Sequence, residues 1–361
     1  MPDPVAITGL TDQQLVEKLD ALGQPAYRAK QLLDWVYAKR ASTYTEMTNL
    51  GAKLRDQLAA EIPLSTLTFV SKTGSKDTTQ KFLFRLHDGR YVETVLIPAS
   101  PALYGDRADR RTACVSSQVG CAYGCKFCAS GLAGFTRNLD ASEIVEQLLQ
   151  VEHHSGEKVN NIVFMGMGEP LANLTNLKQA LQIINAPWGI GIGARHITIS
   201  TSGLAPQIKK LADVPLQVRL ALSLHGATDD VRSQIMPVNA KYPIAELLES
   251  LTYWRSKRKQ HITFEYILIE GVNDSLTDAK HLANLARKVA AKVNLIPYNT
   301  VEGLPWSRPA VPAQESFLKI LTDTKISATL RREKGHDIDA ACGQLRLKQE
   351  QADGTLAPSP A

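Results

Sequence analysis

Residues 112–128 read TACVSSQVGCAYGCKFC, and this stretch contains four of the five cysteines of the 361-residue chain. Cys121, Cys125 and Cys128 fall within eight residues, Cys114 precedes them by seven residues, and Cys342 lies far downstream. An odd number of cysteines with such tight spacing argues against a scaffold of structural disulfides. The pattern indicates a metal site or redox chemistry.

The three clustered cysteines have the spacing CxxxCxxC and directly follow a predicted strand. Three thiolates can bind three irons of a [4Fe–4S] cluster, and the fourth iron is then open to a small molecule with amino and carboxylate groups. This arrangement resembles radical S-adenosylmethionine (SAM) enzymes, in which an aromatic residue such as Phe127 often precedes the third cysteine. The alternative is a structural zinc site with His153 or His154 as fourth ligand, because zinc requires a closed tetrahedral shell.

Short apolar stretches alternate with helical stretches from residue 112 onward. This alternation predicts an α/β fold with a parallel sheet and right-handed crossovers. Six such units predict an open, partial (βα)6 barrel, which binds its ligands at the carboxyl ends of the strands. The predicted strands cover residues 112–117, 161–165, 196–200, 217–223, 262–269 and 292–297. The predicted helices cover residues 141–154, 174–185, 205–212, 228–234, 244–259 and 276–290, and Asp140 with Glu143 form a capping pair before the first.

The N-terminal part of the chain predicts a small helical accessory domain followed by a β-hairpin. Thr11 and Gln14 form a capping-box pattern before the first helix, and a third helix is predicted at residues 45–60. Alternating apolar residues on both sides of Asp88 and Gly89 predict the hairpin. We therefore expect an accessory domain at residues 1–100, a barrel at 101–348 and a disordered, proline-containing tail at 349–361.

Polar residues and glycines follow several of the predicted strands. The segment 165–170 (MGMGEP) ends the second strand, where glycines let the backbone approach a ligand closely and Glu169 could accept a hydrogen bond from the SAM ammonium. Ser200, residues 223–225 and Asn299 end or follow the third, fourth and sixth strands. Each of these, taken alone, is more often a turn or a strand-end cap than a ligand. Together they surround one mouth of the predicted barrel.

Five segments in combination resemble one family. They are residues 114–121 (CVSSQVGC), 165–170 (MGMGEP), 200–203 (STSG), 223–225 (SLH) and 339–345 (DAACGQL). From about residue 11 to residue 348, the chain is similar to the RlmN/Cfr family of RNA adenine methyltransferases. This resemblance implies a radical SAM barrel, one [4Fe–4S] cluster on the three clustered cysteines, and two SAM molecules per turnover.

The resemblance also implies roles for residues outside the cysteine motif. Cys342 accepts the methyl group of one SAM, and a radical made from a second SAM then removes a hydrogen atom from the S-methyl group. The resulting carbon radical adds to the adenine, Glu93 removes the ring proton as general base, and Cys114 attacks the Cys342 sulfur to leave a disulfide. Without the resemblance, burial statistics would favour both cysteines as small core residues. The implied contacts to SAM are Gly168, Glu169, Ser200, Ser223, Leu224, His225 and Asn299.

Two alternatives concern the product and the class of protein. Four features resemble the branch that methylates C2 of adenine rather than C8, and C8 methylation is the outcome associated with antibiotic resistance. They are residues 118–120 (QVG), 169–170 (EP), Ser202 and residues 296–299 (IPYN). The C2 branch modifies an adenosine of 23S rRNA and the adenosine beside certain tRNA anticodons, with an electron donor such as flavodoxin or ferredoxin. The alternative from a different class is a non-catalytic, metal-containing RNA-binding protein.

The formal charge of +5 and the pI near 8.8 suit a polyanionic partner such as RNA. Basic clusters at residues 107–111, 255–259 and 331–334, together with the accessory domain, could contact RNA phosphates, or the clusters could be solvated surface. The sequence shows no run of eighteen apolar residues and no signal-peptide pattern. We therefore expect a cytoplasmic protein without a membrane segment, and no obligate protein partner is evident.

Overall fold

The apolar stretches of the barrel region form strands in the predicted order along the chain. The computed structural model describes residues 5–99, 109–132, 134–301, 303–331, 334–341 and 343–344. The strands are β1 (Thr68–Gly74), β2 (Gln80–Arg85), β3 (Tyr91–Pro98), β4 (Arg111–Cys114), β5 (Gln118–Gly120), β6 (Phe135–Asn138), β7 (Asn161–Phe164), β8 (Ile197–Thr201), β9 (Arg219–Ser223), β10 (Thr263–Leu268), β11 (Lys292–Pro297) and β12 (Ala328–Leu330). The α-helices are α1 (Asp12–Ala21), α2 (Tyr27–Leu33), α3 (Ala52–Glu61), α4 (Ala129–Leu132), α5 (Ala141–Ser155), α6 (Leu174–Asn185), α7 (Ala205–Ala212), α8 (Asp229–Ile235), α9 (Ile244–Lys257), α10 (Leu276–Lys288) and α11 (Val311–Asp323).

Ten of these strands form one sheet in the order β1-β2-β3-β4-β7-β8-β9-β10-β11-β12. From β4 to β12 each strand is parallel to its neighbour in the sheet, and at least one helix crosses between each successive pair. This is the arrangement that right-handed βαβ units produce. The six predicted strands and six predicted helices are confirmed, with ends that differ by no more than about three residues.

The predicted helix caps are present. Asp140 accepts a hydrogen bond from the Glu143 amide at 2.8 Å, and Glu143 accepts one from the Asp140 amide at 3.0 Å. Gly156 ends the same helix, α5, with a φ of 72°, a left-handed conformation that glycine adopts at low cost. Thr11 and Gln14 form the corresponding capping box at α1. These local signals explain why the helix starts could be predicted closely.

The hairpin predicted at the end of the accessory domain is hydrogen-bonded into the barrel sheet. β2 and β3 pair on either side of Asp88 and Gly89, as predicted, and β1 adds a third antiparallel strand. β3 then pairs antiparallel with β4, so that Val95 lies opposite Cys114. The sheet is therefore continuous from hairpin to barrel. The expected domain boundary at residue 100 lies outside the described residues.

The N-terminal region contacts α5 and α6 through buried and partly buried hydrogen bonds. The Thr8 hydroxyl donates to Glu146 Oε1 at 2.7 Å, and the Leu67 amide donates to Glu146 Oε2 at 2.9 Å. The Gln179 side chain donates to the carbonyl of Gly9 at 2.6 Å. Buried hydrogen bonds of this kind fix the position of the accessory helices on the barrel.

Three features of the fold differ from the prediction. The third helix begins at Ala52 rather than at residue 45, because Tyr44–Glu46 forms a 3-10 turn and Gly51 is the N-cap. α11 and β12 add a seventh parallel strand to the predicted six. β5 and β6 form a separate antiparallel pair around the cysteine motif. The predicted tail at residues 349–361 lies outside the described residues, and within the described ones no helix has the length and apolarity of a membrane span.

Candidate active site at the carboxyl edge of the parallel strands

The three clustered cysteines line a cavity of about 150 Å³ at the carboxyl ends of the parallel strands. They lie in the connection between β5 and α4, which passes over this edge of the sheet. We call this space the cysteine cavity. Its lining includes residues at or just after the carboxyl ends of the second, third and fourth parallel strands, as the barrel architecture predicts. These are Gly168, Glu169, Ser200, Ser223 and His225.

The environment of the three cysteines suits an iron–sulfur cluster. All three are free thiols of intermediate burial. Burial raises the pKa of Cys121 to about 12 and raises that of Cys125 well above its ordinary value, so thiolates there require a nearby metal cation. In the described part of the chain no three His, Cys, Asp or Glu side chains form a single-ion site. The three cysteines instead surround the cavity, which suits a cluster of several irons with an open position for SAM.

The glycines of the segment 165–170 pack against the segment that leads into the cysteine motif. A Cβ atom on Gly166 would lie 2.6 Å from the Ser116 hydroxyl oxygen, and one on Gly168 would lie 2.4 Å from Cβ of Gln118. Gly168 also has a φ of 95°, which few other residues adopt. The prediction emphasised the approach of these glycines to a ligand. The structure shows that they also allow two chain segments to meet.

The Glu169 carboxylate is buried beside the cysteines and has fixed partners. Its Oε2 accepts a hydrogen bond from the Ser202 amide at 2.6 Å, and its Oε1 accepts one from the Leu171 amide at 3.0 Å. Burial raises the pKa of Glu169, and these amide hydrogen bonds oppose the rise. The backbone therefore orients a buried carboxylate toward the cysteine cavity, where it can accept a hydrogen bond from an ammonium group.

His225, two residues after the end of β9, has a left-handed backbone conformation with a φ of 57°. Its Nδ1 accepts a hydrogen bond from the Ile267 amide at 3.0 Å, and its ring lies edge-on to Phe127 at 4.8 Å between centroids. Burial lowers the pKa of His225 to about 3, and the positive charge of Arg232 adds to the effect. His225 is therefore neutral, and the ring hydrogen is on Nε2.

A second cavity, of about 60 Å³, shares part of its lining with the cysteine cavity. Cys114 and Cys128 both line it, and so do Ala341 and Gly343. We call this space the Cys114 cavity. Cys342 itself lies outside the described residues. The two neighbours of Cys342 in the chain nevertheless border the same cavity as Cys114.

Glu93 lines neither cavity but lies on the same face of the sheet as Cys114. In the pairing of β3 with β4, Val95 is opposite Cys114, and Glu93 is two residues from Val95 on the same side of the strand. Glu93 is buried, and its Oε1 lies 3.1 Å from Nζ of Lys81. The predicted base and the predicted resolving cysteine are thus diagonal neighbours on adjacent strands.

Five of the seven residues predicted to contact SAM line the cysteine cavity, and two do not. Asn299 lines the Cys114 cavity, where its Oδ1 accepts a hydrogen bond from Arg308 at 3.1 Å. Leu224 is buried, and its carbonyl accepts from the Arg232 side chain at 3.1 Å. Contacts of Asn299 and Leu224 with SAM therefore remain predictions without support from the lining of this cavity.

Two buried charged residues at the site were missed in the sequence. Glu265 lines the cysteine cavity and accepts a hydrogen bond from Asn294 at 2.7 Å, and burial raises its pKa. A carboxylate within the apolar strand β10 was a signal that could have identified it. Arg232 is fully buried and donates to carbonyls of Leu224 and Ser202, so it links the loops after β8 and β9. No local pattern in α8 distinguishes Arg232.

The basic clusters lie at opposite edges of the sheet. Arg111 begins β4 and pairs with Glu157, and buried Arg258 donates to the carbonyl of Val214 near the amino ends of the strands. Arg331 and Lys334 follow β12 and line the Cys114 cavity. The cluster at residues 331–334 is therefore the one at the mouth of the site. The predicted members Arg107 and Arg332 lie outside the described residues.

Comparisons with known proteins agree with this geometry. The radical SAM superfamily matches residues 115–283, and the ribosomal RNA large subunit methyltransferase N-terminal domain matches residues 5–63. A protein of Akkermansia muciniphila named probable dual-specificity RNA methyltransferase RlmN is 54% identical over 97% of this chain and 98% of its own length. A protein of Campylobacter fetus named dual-specificity RNA methyltransferase RlmN is 44% identical over 92% of this chain and 97% of its own length.

A solved structure supports the same assignment. The crystal structure of a radical SAM methyltransferase from Sphaerobacter thermophilus superposes with a TM-score of 0.90 at 45% identity, covering 95% of this chain and all of that one. The partial-barrel fold is thereby confirmed, and the chain is a SAM-dependent enzyme rather than a non-catalytic RNA-binding protein. The chain belongs to the RlmN family of radical SAM RNA methyltransferases, which use a [4Fe–4S] cluster and SAM.

Proposed function

We propose that this enzyme methylates C2 of an adenosine in 23S rRNA and of the adenosine beside the anticodon of certain tRNAs. The observation that carries the mechanism is the Cys114 cavity. It is lined by Cys114, by the cluster cysteine Cys128, and by the residues on either side of Cys342. Such a space suits a methyl carrier that must meet both a radical source and a second thiol.

Cys121, Cys125 and Cys128 would bind the cluster, and the cysteine cavity would bind SAM beside it. When bound, the cluster supplies the electron that cleaves SAM and produces a 5′-deoxyadenosyl radical. Glu169 orients SAM by accepting a hydrogen bond from its ammonium group, since both carboxylate oxygens are already fixed by backbone amides. His225 donates from Nε2, because its Nδ1 accepts from the Ile267 amide. These residues fix the position of SAM relative to the cluster and exclude water.

Cys342 carries the methyl group in this proposal. Its sulfur takes the methyl from one SAM, loses one methyl hydrogen to the radical made from a second SAM, and forms a bond from the methyl carbon to C2 of adenine. The product of this step is a protein–RNA crosslink. Ala341 and Gly343 at the Cys114 cavity support this placement of the carrier, since Gly343 also lines the cysteine cavity.

Glu93 and Cys114 complete the reaction. Glu93 removes the proton from C2, and the unpaired electron of the adduct would return to the bound cluster, which gave one electron to cleave SAM. Cys114 then attacks the Cys342 sulfur, and the methylene carbon leaves with the S–C electron pair and takes up a proton, which gives a disulfide and the methylated adenosine. The position of Glu93 and Cys114 on one face of β3 and β4 supports this division of roles. A thiol and a base that act on the same adduct must lie within a few ångströms of it.

The RNA substrate would reach this site as an extruded base. Chemistry on a nucleobase requires its removal from the stack, and a cavity at the barrel mouth suits an extruded adenine. Arg331 and Lys334 at the Cys114 cavity would contact the flanking phosphates. In this proposal a flavodoxin or ferredoxin supplies electrons, and the enzyme works in the cytoplasm, where it meets its RNA substrates.

The test is anaerobic reconstitution with iron and sulfide, then incubation with SAM, a reductant and 23S rRNA or tRNA. Nucleosides are analysed by mass spectrometry against 2-methyladenosine and 8-methyladenosine. We expect 2-methyladenosine from both RNAs. A product of 8-methyladenosine would move the enzyme to the C8 branch, and the absence of both products together with the absence of 5′-deoxyadenosine would contradict the proposal.

Two cysteine variants separate the steps. Cys342→Ala should retain the iron content of the wild-type enzyme and form no methylated RNA. Cys114→Ala should form the crosslink and release little product. Full methylation by Cys342→Ala, or free methylated RNA as the only product of Cys114→Ala, would contradict the assigned roles.

A further inference from the structure

Lys81 connects the proposed base to the chain segment that leads to Cys342. Its Nζ lies 3.1 Å from Oε1 of Glu93 and donates to the backbone carbonyl of Asp339 at 3.4 Å. The Lys81 side chain is 15% exposed and that of Glu93 is 6% exposed, so solvent screens this ion pair little. A single ammonium group therefore contacts two parts of the site that lie far apart in sequence.

The strand register explains how Lys81 reaches Glu93. In the pairing of β2 with β3, Leu83 is opposite Glu93 and Lys81 is opposite Val95. Lys81 and Glu93 are therefore diagonal neighbours on one face of the sheet, within reach of a long side chain. That face is also the face of Cys114, because Val95 is opposite Cys114 in the next strand pair. Lys81, Val95 and Cys114 thus lie in one row across three adjacent strands, and Glu93 lies on the same face, two residues from Val95.

The turn between β1 and β2 contacts the same C-terminal segment as Lys81. The Ser75 hydroxyl donates to Oδ1 of Asp337 at 2.5 Å, and Oδ2 of Asp77 accepts from the Gly335 amide at 2.8 Å. Residues 335–339 are therefore attached to the hairpin at several points. Among these contacts, the one from Lys81 is made by an ammonium group that also contacts Glu93.

We propose that Lys81 is a positioning residue that holds the Glu93 carboxylate and the backbone at Asp339 in a fixed relation. This inference rests on the proposed function, in which Glu93 accepts a proton from an adenosine attached to Cys342, three residues beyond Asp339. The ammonium group has three N–H donors, so it can satisfy the carboxylate and the carbonyl at once. Without it, Glu93 is a buried carboxylate that has lost this cation, and the carbonyl of Asp339 loses this donor.

The variants are Lys81→Met, which keeps much of the side-chain length and removes the charge, and Lys81→Arg, which restores it. Lys76→Met is the matched control in the same hairpin, since only the backbone amide of Lys76 contacts Asp337. The measurements are iron content, the methylated fraction of Cys342 by intact-protein mass spectrometry, and crosslinked protein–RNA on denaturing gels over time.

Lys81→Met should retain iron and a methylated Cys342 but accumulate crosslinked protein–RNA. Its crosslink should resolve roughly 10- to 100-fold more slowly than in the wild type, because a misplaced base loses much of its contribution. Lys81→Arg should recover most of the rate, and Lys76→Met should behave as wild type. General destabilisation would lower all three measurements together and would not accumulate one intermediate.

The inference is overturned if Lys81→Met resolves the crosslink at the wild-type rate while Cys114→Ala accumulates it. If Lys81→Met does not fold, Lys81→Gln, which keeps an N–H donor without the charge, replaces it under the same criteria. If Cys114→Ala forms no crosslink and Cys342 is never methylated, the proposed function itself fails. The two failures are therefore distinguishable.

Discussion

The backbone nitrogen of Ile267 lies 3.0 Å from Nδ1 of His225, and its N–H donates to that ring atom. The backbone of β10 thus sets the tautomer of a histidine in the loop that follows the neighbouring strand, β9. Burial lowers the pKa of His225 to about 3, so the ring stays neutral over the physiological pH range. The Nε2–H group of this ring is therefore the hydrogen-bond donor that His225 can offer to a ligand in the cysteine cavity.

His225→Phe and His225→Asn should separate the structural and binding roles of this ring. Phe leaves the buried Ile267 amide unpaired, which costs about 1–3 kcal/mol of unfolding free energy. Asn retains an acceptor and tolerates the φ of 57°, so it should unfold close to the wild type. Both should bind SAM roughly tenfold more weakly, which is the value of one lost hydrogen bond of about 1.4 kcal/mol.

SAM affinity is measured by anaerobic equilibrium dialysis of reconstituted protein, and stability is measured by chemical denaturation. The wild-type affinity should show no inflection from His225 near its ordinary pKa of 6.5. Wild-type SAM affinity in His225→Asn would show that the ring is structural only.

The buried carboxylate of Glu146 should make the docking of the accessory helices depend on pH. Burial raises the pKa of Glu146 to about 6 from 4.5, although Thr8, Ser65 and the amides of Thr66 and Leu67 donate to it. The folded state therefore binds the proton more tightly than the unfolded state. Its contribution to stability is fully present below pH 4.5 and is lost as the pH rises through 6, by about 2 kcal/mol.

Glu146→Gln removes this titration and can keep its oxygen toward the two amides. The unfolding free energy of Glu146→Gln minus that of the wild type should rise by about 2 kcal/mol between pH 4.5 and pH 7, because only the wild type loses the stabilising protonation. Glu146→Ala leaves buried donors unpaired and should cost about 3 kcal/mol. Denaturant titrations at several pH values measure both effects. Parallel pH profiles of Glu146→Gln and the wild type would contradict the assigned titration.

Gly168→Ala should weaken SAM binding, whereas Gly191→Ala should leave SAM binding close to that of the wild type. Both glycines have positive φ, of 95° and 80°, but only a Cβ on Gly168 would meet another atom, Cβ of Gln118 at 2.4 Å. Gly191→Ala should therefore cost about 1 kcal/mol of backbone strain. Gly168→Ala must also displace the loop that carries Glu169. We expect a loss of SAM binding by equilibrium dialysis, and equal effects of the two substitutions would contradict the packing argument.

Arg331→Gln should weaken RNA binding, whereas Lys259→Gln should not. Arg331 lines the Cys114 cavity at the mouth of the site, and Lys259 is exposed near the opposite edge of the sheet. Loss of one phosphate contact lowers the slope of log affinity against log salt concentration by about 1. Filter binding of tRNA at several salt concentrations measures this slope. A similar change in both variants would indicate diffuse electrostatic attraction.

The parallel part of the fold could be predicted because its signals are local. Asp140 and Glu143 mark the start of α5, and the apolar strands alternate with helices at regular intervals. β1 was missed because most of its residues are exposed, so no apolar alternation distinguishes it. β12 has three residues, too few for any pattern. The continuity of hairpin and barrel depends on pairing between β3 and β4, which no local signal encodes.

The residues of the candidate site also fall into two groups, those with a local sequence signal and those that depend on long-range contacts. Cysteine spacing and the glycine-rich segment are local, and the structure brings Gly168 and Glu169 to the cavity of the three cysteines. Lys81, Arg232 and Glu265 act through contacts between strands and loops that are distant in sequence. Such contacts become visible only when the strand register is known.

The contact between Thr8 and Glu146 spans 138 residues, and this distance has a consequence for synthesis of the chain on the ribosome. The N-terminal helices emerge first, yet the carboxylate that satisfies Thr8 and the amides of Thr66 and Leu67 is translated much later. The accessory region can therefore form its hydrogen bonds with Glu146 only after α5 has left the exit tunnel. The residues around Thr8 must thus wait for a helix translated 138 residues later before they reach their native packing.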